Sequence, residues 1–177
     1  MINSPHSLLE LIHSGKIVRN LSDRELLKPE GVGFDLCLSS LSSVGSGGGS
    51  LRTATRRTPE DVLVQENENN CFYLESGRTY LATTTEEFDL PTDLAAVFFP
   101  RSTLFRSGVI FQSSVLPAGY VGPMVFSLTN THYETFEIEK GARFAHAVFL
   151  SVTGDVGLYK GQWQGGRISQ PLDEGQI

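Results

Sequence analysis

Short apolar runs separated by turn clusters make up most of this chain. One early stretch has a helical period: over residues 5–14, Leu8, Leu9, Leu11 and Ile12 share one apolar face, and Gly15 ends it. After a break at Pro29-Glu-Gly31, Val32–Leu38 alternates as a strand and projects Asp35 opposite to Phe34 and Leu36. A carboxylate among apolar strand residues predicts an anchor that ties down a loop through hydrogen bonds. From Cys71 onward the period is two, with strands expected at Cys71–Leu74, Thr79–Thr84, Ala95–Phe99, Val109–Gln112, Met124–Asn130, Thr135–Ile138 and Phe144–Val152. Turn signals at Glu75-Ser-Gly77, Leu90-Pro-Thr-Asp93, Pro117-Ala-Gly119, Gly122-Pro123 and Lys140-Gly141 separate them. The pattern predicts an all-β sandwich or barrel, mostly antiparallel, with a short N-terminal helix.

Two segments break the pattern. Residues 39–58 are rich in Ser, Gly, Thr and Arg and contain Gly45-Ser-Gly-Gly-Gly-Ser50. No Gly-Lys-Ser/Thr follows, so a mobile loop is expected rather than a phosphate cradle, with Arg52, Arg56 and Arg57 free to swing toward an anion. Residues 157–177 interleave glycines with Tyr159, Trp163, Gln162 and Arg167. The glycines oppose a helix, and the stretch reads as an arm that orders by stacking or by packing on a neighbouring subunit.

At 177 residues with 40% hydrophobic content, the chain reads as a single domain, 1–177, with a real core. A net charge of −6 argues against a sequence-independent grip on nucleic acid but leaves room for a small phosphate pocket. No apolar run is long enough to span a membrane and no signal-peptide pattern opens the sequence, so a cytoplasmic protein is expected. Cys37 and Cys71 lack metal-ligand spacing and read as two reduced thiols, with no protein-held metal.

The densest chemistry lies in Pro100-Arg-Ser-Thr-Leu-Phe-Arg106-Ser-Gly108, where two arginines and two hydroxyls fall between strand-like runs. Such a turn offers hydroxyls, backbone N–H groups and guanidinium forks to an anion. It also reads as an ordinary surface turn in which Ser102 caps a helical turn through Thr103, Leu104 and Phe105.

Several segments, taken in order, resemble the dCTP deaminase and trimeric dUTPase superfamily, the deaminase branch above all. Gly33-Phe-Asp-Leu-Cys-Leu38 after the opening helix resembles that branch's first strand. Leu74–Ala82 followed by Leu90-Pro-Thr-Asp-Leu94 is similar to its "P-G-x-x-x-L-A" and "L-P-x-D-L" run. Arg101–Gly108 resembles "R-S-S-L-x-R-x-G", Gly119-Tyr-Val-Gly122 "G-[WFY]-x-G", Phe126-Ser-Leu-Thr-Asn130 "L-E-x-x-N", and Lys140–His146 "K-G-x-R-I-A-Q". The resemblance implies a distorted, jelly-roll-like β-barrel of the dUTPase type. It also implies a homotrimer with sites between subunits and a deoxynucleoside triphosphate, dCTP or dUTP, carrying Mg²⁺ on its phosphates. Ser102 and Arg106 would then face the triphosphate or the reacting base, with Arg101 and Thr103 beside them. Tyr120 would pack under the sugar, and the arm with Gln162 and Arg167 would close over the phosphates.

The chain departs from that pattern at two chemical positions. The deaminase glutamate falls at Ser127, whose hydroxyl is too weak a base to act alone. The dUTPase aspartate falls at Pro117, which accepts no proton. The loop Gln112–Ala118 is shorter than in deaminases by about two residues, a turn-sized difference. Among replacement bases, His146 between two alanines reads as structural, His132 falls in a turn, Glu86, Glu87 and Asp89 read as a solvated acidic loop, and Glu134 sits at a strand end. The residues thus fit a dCTP-deaminating or dUTPase-type enzyme acting through Ser102, Arg106 and Ser127, a nucleotide-binding sensor that has lost the chemistry, or a trimeric scaffold.

Overall fold

A computed structural model describes residues 1–176. Helix α1 (Pro5–His13) starts where the Ser4 side chain accepts the Ser7 N–H and Pro5 occupies the first turn; Leu8 and Ile12 are its buried face. Then come β1 (Ile17–Arg19), α2 (Asp23–Leu27), β2 (Phe34–Val44), β3 (Ser50–Leu51), β4 (Thr55–Arg57), β5 (Asp61–Val64), β6 (Cys71–Leu74), β7 (Thr79–Asp89) and β8 (Leu94–Pro100). The chain continues through α3 (Ser102–Arg106), β9 (Val109–Gln112), β10 (Val121–Asn130), β11 (Phe136–Glu139), β12 (Arg143–Ser151) and β13 (Glu174–Gly175).

The main sheet runs β8-β12-β2-β7-β10-β9, with β1 added to β7 and β5 to β2. Every pairing is antiparallel. Its two outer strands, β8 and β9, are consecutive in the chain and joined by α3. The segment after β9 turns back onto β8, where Ala96 and Leu116 exchange backbone hydrogen bonds of 2.9 and 2.8 Å. This contact draws the sheet into the nearly closed, all-β barrel that the sequence predicts. Phenylalanines fill the interior: Phe126 lies with its ring centroid 4.9 Å from both Phe98 and Phe111 and 5.8 Å from Phe144, and Phe88 lies 5.7 Å from Phe98. Aromatic pairs at these separations add to the stabilisation from burial alone.

Three expectations change. Strand β7 does not end at Thr84 but runs to Asp89, so Glu86, Glu87 and Asp89 are strand residues and not a solvated loop. Alternation turns Glu86 inward, where it is fully buried and accepts the Cys37 N–H at 2.9 and 3.1 Å. Residues 39–58 are largely ordered by pairing: 39–44 finish β2, and β3 and β4 form a small sheet with β13. Arg56 and Arg57 on β4 are accordingly tied to Glu174 and Asp173.

Candidate functional site

Helix α3 sits at the seam where the barrel closes. Its cap is Arg101, in extended conformation (φ −65°, ψ 142°) with no side-chain capping bond, and Ser102 is the first helical residue rather than the cap. Leu104 is the buried anchor. Ser102, Thr103, Phe105 and Arg106 face solvent, and the Arg106 guanidinium lies 5.7 Å from the Phe105 ring. The turn therefore presents Ser102, Thr103 and Arg106 together on an open surface.

Arg101 does not join them freely. Its guanidinium binds Asp35, which also accepts from Arg143 at 3.0 Å and pairs with His146 Nδ1 at 2.8 Å. Asp35 is thus the expected hydrogen-bonding anchor, and the side chains it anchors belong to α3 and β12. Burial works against its charge, but the bonds to His146 and Arg101 prevail and hold its carboxyl below the ordinary 3.8. Glu25 of α2 completes this cluster: it is buried, accepts the Asp35 N–H at 3.0 Å and pairs with Arg24. No local pattern marks Glu25 as buried, because apart from the adjacent Arg24 its partners, the Asp35 N–H and Arg143, come from strands elsewhere in the chain. Burial pushes the Cys37 thiol up to about 12, which leaves it a poor nucleophile. His132 sits in a turn, as expected, with its Nδ1 accepting the Glu134 N–H at 3.1 Å.

Ser127 lies on the outer stripe of β10, half-buried, with Leu81 of β7 and Gln112 of β9 as its cross-strand neighbours. The same stripe carries Pro123, Val125 and Thr129. Toward its Val125 end opens a cavity of about 620 Å³, within the usual range for small-molecule sites. Its floor is apolar (Val44, Leu81, Leu116, Val125), one wall is Tyr120 with Tyr159, and its rim holds Trp163, Arg167 and Glu60. Tyr120 is fixed by its hydroxyl donating to Pro123 O at 2.6 Å, and burial pushes its phenol up to about 12. Pro117 also lines the cavity.

The arm closes this cavity from the same protomer. Tyr159 N donates to Ala118 O at 2.8 Å and Gly165 N to Val121 O at 2.8 Å, while the Gln164 amide bridges Gly119 O and the Val121 N–H. Arg167 reaches the rim but bonds Glu174 through both terminal nitrogens at 2.9 Å. The Gln162 amide donates to Gly175 O and stays off the cavity wall. The expected site residues therefore form two groups. Ser102, Thr103 and Arg106 project from α3, whose end packs near Thr131 through the Thr131 N–H to Gly108 O bond of 2.9 Å. Tyr120 and Arg167 line the cavity near Val125. Five residues of extended β10 separate Val125 from Asn130, about 17 Å, and Ser127 lies between.

A family model described as dCTP deaminase-like matches residues 2–152. A probable deoxyuridine 5'-triphosphate nucleotidohydrolase of Methanopyrus kandleri is 33% identical over 141 residues, covering 80% of this chain and 89% of that protein. A dCTP deaminase of Pyrobaculum islandicum is 33% identical over 95 residues, 53% of each chain. Among solved structures, the 2'-deoxycytidine 5'-triphosphate deaminase from Agrobacterium tumefaciens superposes with a TM-score of 0.64 at 20% identity, over 84% of this chain and 48% of that one, a likeness of fold. With its barrel seam, its arginine-bearing turn and a match over nearly all of the barrel, this chain belongs to the dCTP deaminase-like family.

Proposed function

We propose that this protein binds a deoxynucleoside triphosphate, dCTP or dUTP, with base and sugar in the cavity beside Tyr120 and the phosphates directed to arginine. The carrying observation is the separation of the two halves. Within one protomer the cavity and the exposed Ser102–Arg106 turn lie toward opposite ends of β10, and neither is a complete nucleotide site. A homotrimer, in which α3 of one subunit meets the cavity of the next, brings them together. In it Arg106 supplies a charge-assisted fork to phosphate oxygens and Ser102 a hydroxyl donor. Among the described residues no three His, Cys, Asp or Glu side chains converge as metal ligands. In this reading the Mg²⁺ is carried by the phosphates of the nucleotide, where it would neutralise their charge.

Binding without deamination is the favoured outcome, since Ser127 brings no carboxylate to the outer face of β10 and Pro117 none to the cavity. One observation favours a second, catalytic reading: Glu60 is a carboxylate on the cavity rim, available to a water beside a bound base. Incubation with each dNTP and Mg²⁺, followed by product separation and a melting assay, decides between them. A melting shift without product supports the binder. Ammonia with dUTP, or pyrophosphate with a monophosphate, supports the enzyme, and loss of that product in Glu60→Gln assigns the base. Arg106→Ala is expected to weaken nucleotide binding roughly 10- to 100-fold, the range for a lost bond to a charged group. An unchanged shift would refute the phosphate role.

A further inference from the structure

We propose that Arg56, Arg57 and Arg167 form a phosphate subsite around Trp163 at the mouth of the cavity, and that Glu174 of β13 occupies it as an internal competitor that a polyphosphate displaces. The proposal rests on the nucleotide reading only for the base; the anion subsite stands on its own geometry.

The guanidinium of Arg56 lies 4.7 Å from the Trp163 ring centroid and that of Arg167 lies 5.8 Å from it, so the indole holds two cations in one place. Between them sits one carboxylate. Glu174 Oε1 accepts from Arg56 Nε at 3.2 Å, and Oε2 accepts from both terminal nitrogens of Arg167 at 2.9 Å. One negative charge thus faces two positive ones. The mismatch also shows in bonding: Arg56 Nη2 is buried and has no acceptor among the described residues. A carboxylate has two oxygens to offer, and here both are used. A phosphate chain has more oxygens and more charge, and can satisfy the remaining donor while keeping the forks engaged.

The neighbouring space fits a chain of phosphates leaving the cavity. A groove of about 430 Å³ runs beside it, lined by Gly49, Ser50, Leu51, Arg56, Arg57 and Thr58, with Trp163. Thr58 and Trp163 line both spaces. Arg57 faces this groove, and among the described residues its one ion pair is a 3.8 Å contact with the exposed Asp173. The competitor is lightly attached: β13 is two residues long and, among the described residues, pairs with β4 alone. Gln162 and Gln176 add side-chain bonds to backbone carbonyls of Gly175 and Arg52.

The probe is inorganic tripolyphosphate, and the readout is the emission of Trp163, the only tryptophan in the chain. Removing the competing charge with Glu174→Gln keeps the side chain's shape, and is expected to tighten tripolyphosphate binding about tenfold, as expected for one charged bond no longer in competition. Arg56→Ala with Arg57→Ala is expected to abolish the response, and Arg56→Lys, which keeps the charge but loses the fork, to weaken it. If Glu174 is merely a structural clamp, Glu174→Gln will bind no better or will bind worse, which overturns the proposal. Absence of any Trp163 response in both wild type and Glu174→Gln overturns it as well. Deoxynucleotides in parallel separate the two readings. Tripolyphosphate binding that follows these rules with no nucleotide binding keeps the subsite and ends the nucleotide reading. A dCTP-induced melting shift insensitive to Glu174 and Arg56 does the reverse.

Discussion

Replacing Glu86 with glutamine tests the interior charge arrangement beneath the candidate site. Glu86 has no exposed surface, and both its carboxylate oxygens accept the Cys37 N–H. Burial is the dominant influence and outweighs the hydrogen bonds from Cys37 and from Glu86's own backbone; the nearby Glu25 adds repulsion, and the carboxyl is pushed from 4.5 up to about 7. The rise from 4.5 to about 7, at roughly 1.4 kcal/mol for each tenfold change in proton affinity, amounts to about 3 kcal/mol. Between pH 4.5 and 7 the folded protein holds a proton that the unfolded chain has released. Stability from this group is therefore greatest below 4.5, falls as pH rises across that window, and is lost once pH exceeds about 7. Glutamine carries no titrating proton, so the stability of Glu86→Gln minus that of wild type should grow by about 3 kcal/mol from acid to about pH 8. Urea unfolding at fixed protein concentration, extrapolated to water at each pH, measures this difference. Asp35, Glu66 and Glu174 do not confuse it. Their carboxyls are lowered, so they stabilise the fold above their ordinary values and lose that contribution only as pH falls through their folded ones. A variant-minus-wild-type difference that stays flat across the range would refute the reasoning, and would mean that the arginines around Asp35 compensate Glu86 as well.

Two further substitutions probe the supports of the site. Asp35→Asn leaves Arg101, Arg143 and His146 facing a neutral amide; because Asp35 is buried while these partners are partly exposed to water, it is expected to cost about 1–3 kcal/mol in urea unfolding, and a loss under about 1 kcal/mol would show that water replaces the carboxylate. Gly122→Ala places a Cβ 2.7 Å from Gly165 Cα at a residue with φ +130°, so the arm should lift from β10. Trp163 emission should then shift red and residues 157–176 become sensitive to protease, whereas unchanged emission would show that Gly165 moves aside at little cost.

Local chemistry was readable from sequence, and long-range closure was not. The α3 turn keeps its hydroxyls and arginines within six positions, so spacing alone exposed it. The strand pattern was legible wherever apolar residues alternate, and it failed at Glu86 because an inward carboxylate looks like a solvated one until its partner, a backbone N–H 49 residues away, is known. The same holds for β4 and β13, elements of three and two residues joined by Arg56 and Glu174 across 118 positions. Neither has a period to detect. Arg101 illustrates the same limit: its motif places it beside Ser102 and Arg106, and only the fold shows its guanidinium bonded to Asp35, 66 positions away.

That last pairing bears on how the α3 turn is built. Arg101 and Arg106 are five positions apart on one turn, yet only Arg106 is left without a carboxylate partner among the described residues. Two unneutralised guanidiniums so close together would repel in the empty protein and destabilise the seam that α3 closes. Tying Arg101 to Asp35 removes that repulsion and fixes the start of the helix, since Arg101 is also its cap and its N–H is held by Phe144 O at 2.9 Å. Arg106 can then stay exposed on a short helix without loosening the barrel. A charge-neutral test follows from the same logic: Arg101→Gln should cost stability and barely change the salt dependence of nucleotide binding, while Arg106→Gln should do the opposite, because only the second arginine exchanges solvent ions for phosphate. Equal effects in both assays would mean that the two arginines share one role and that the division of labour drawn from Asp35 is wrong.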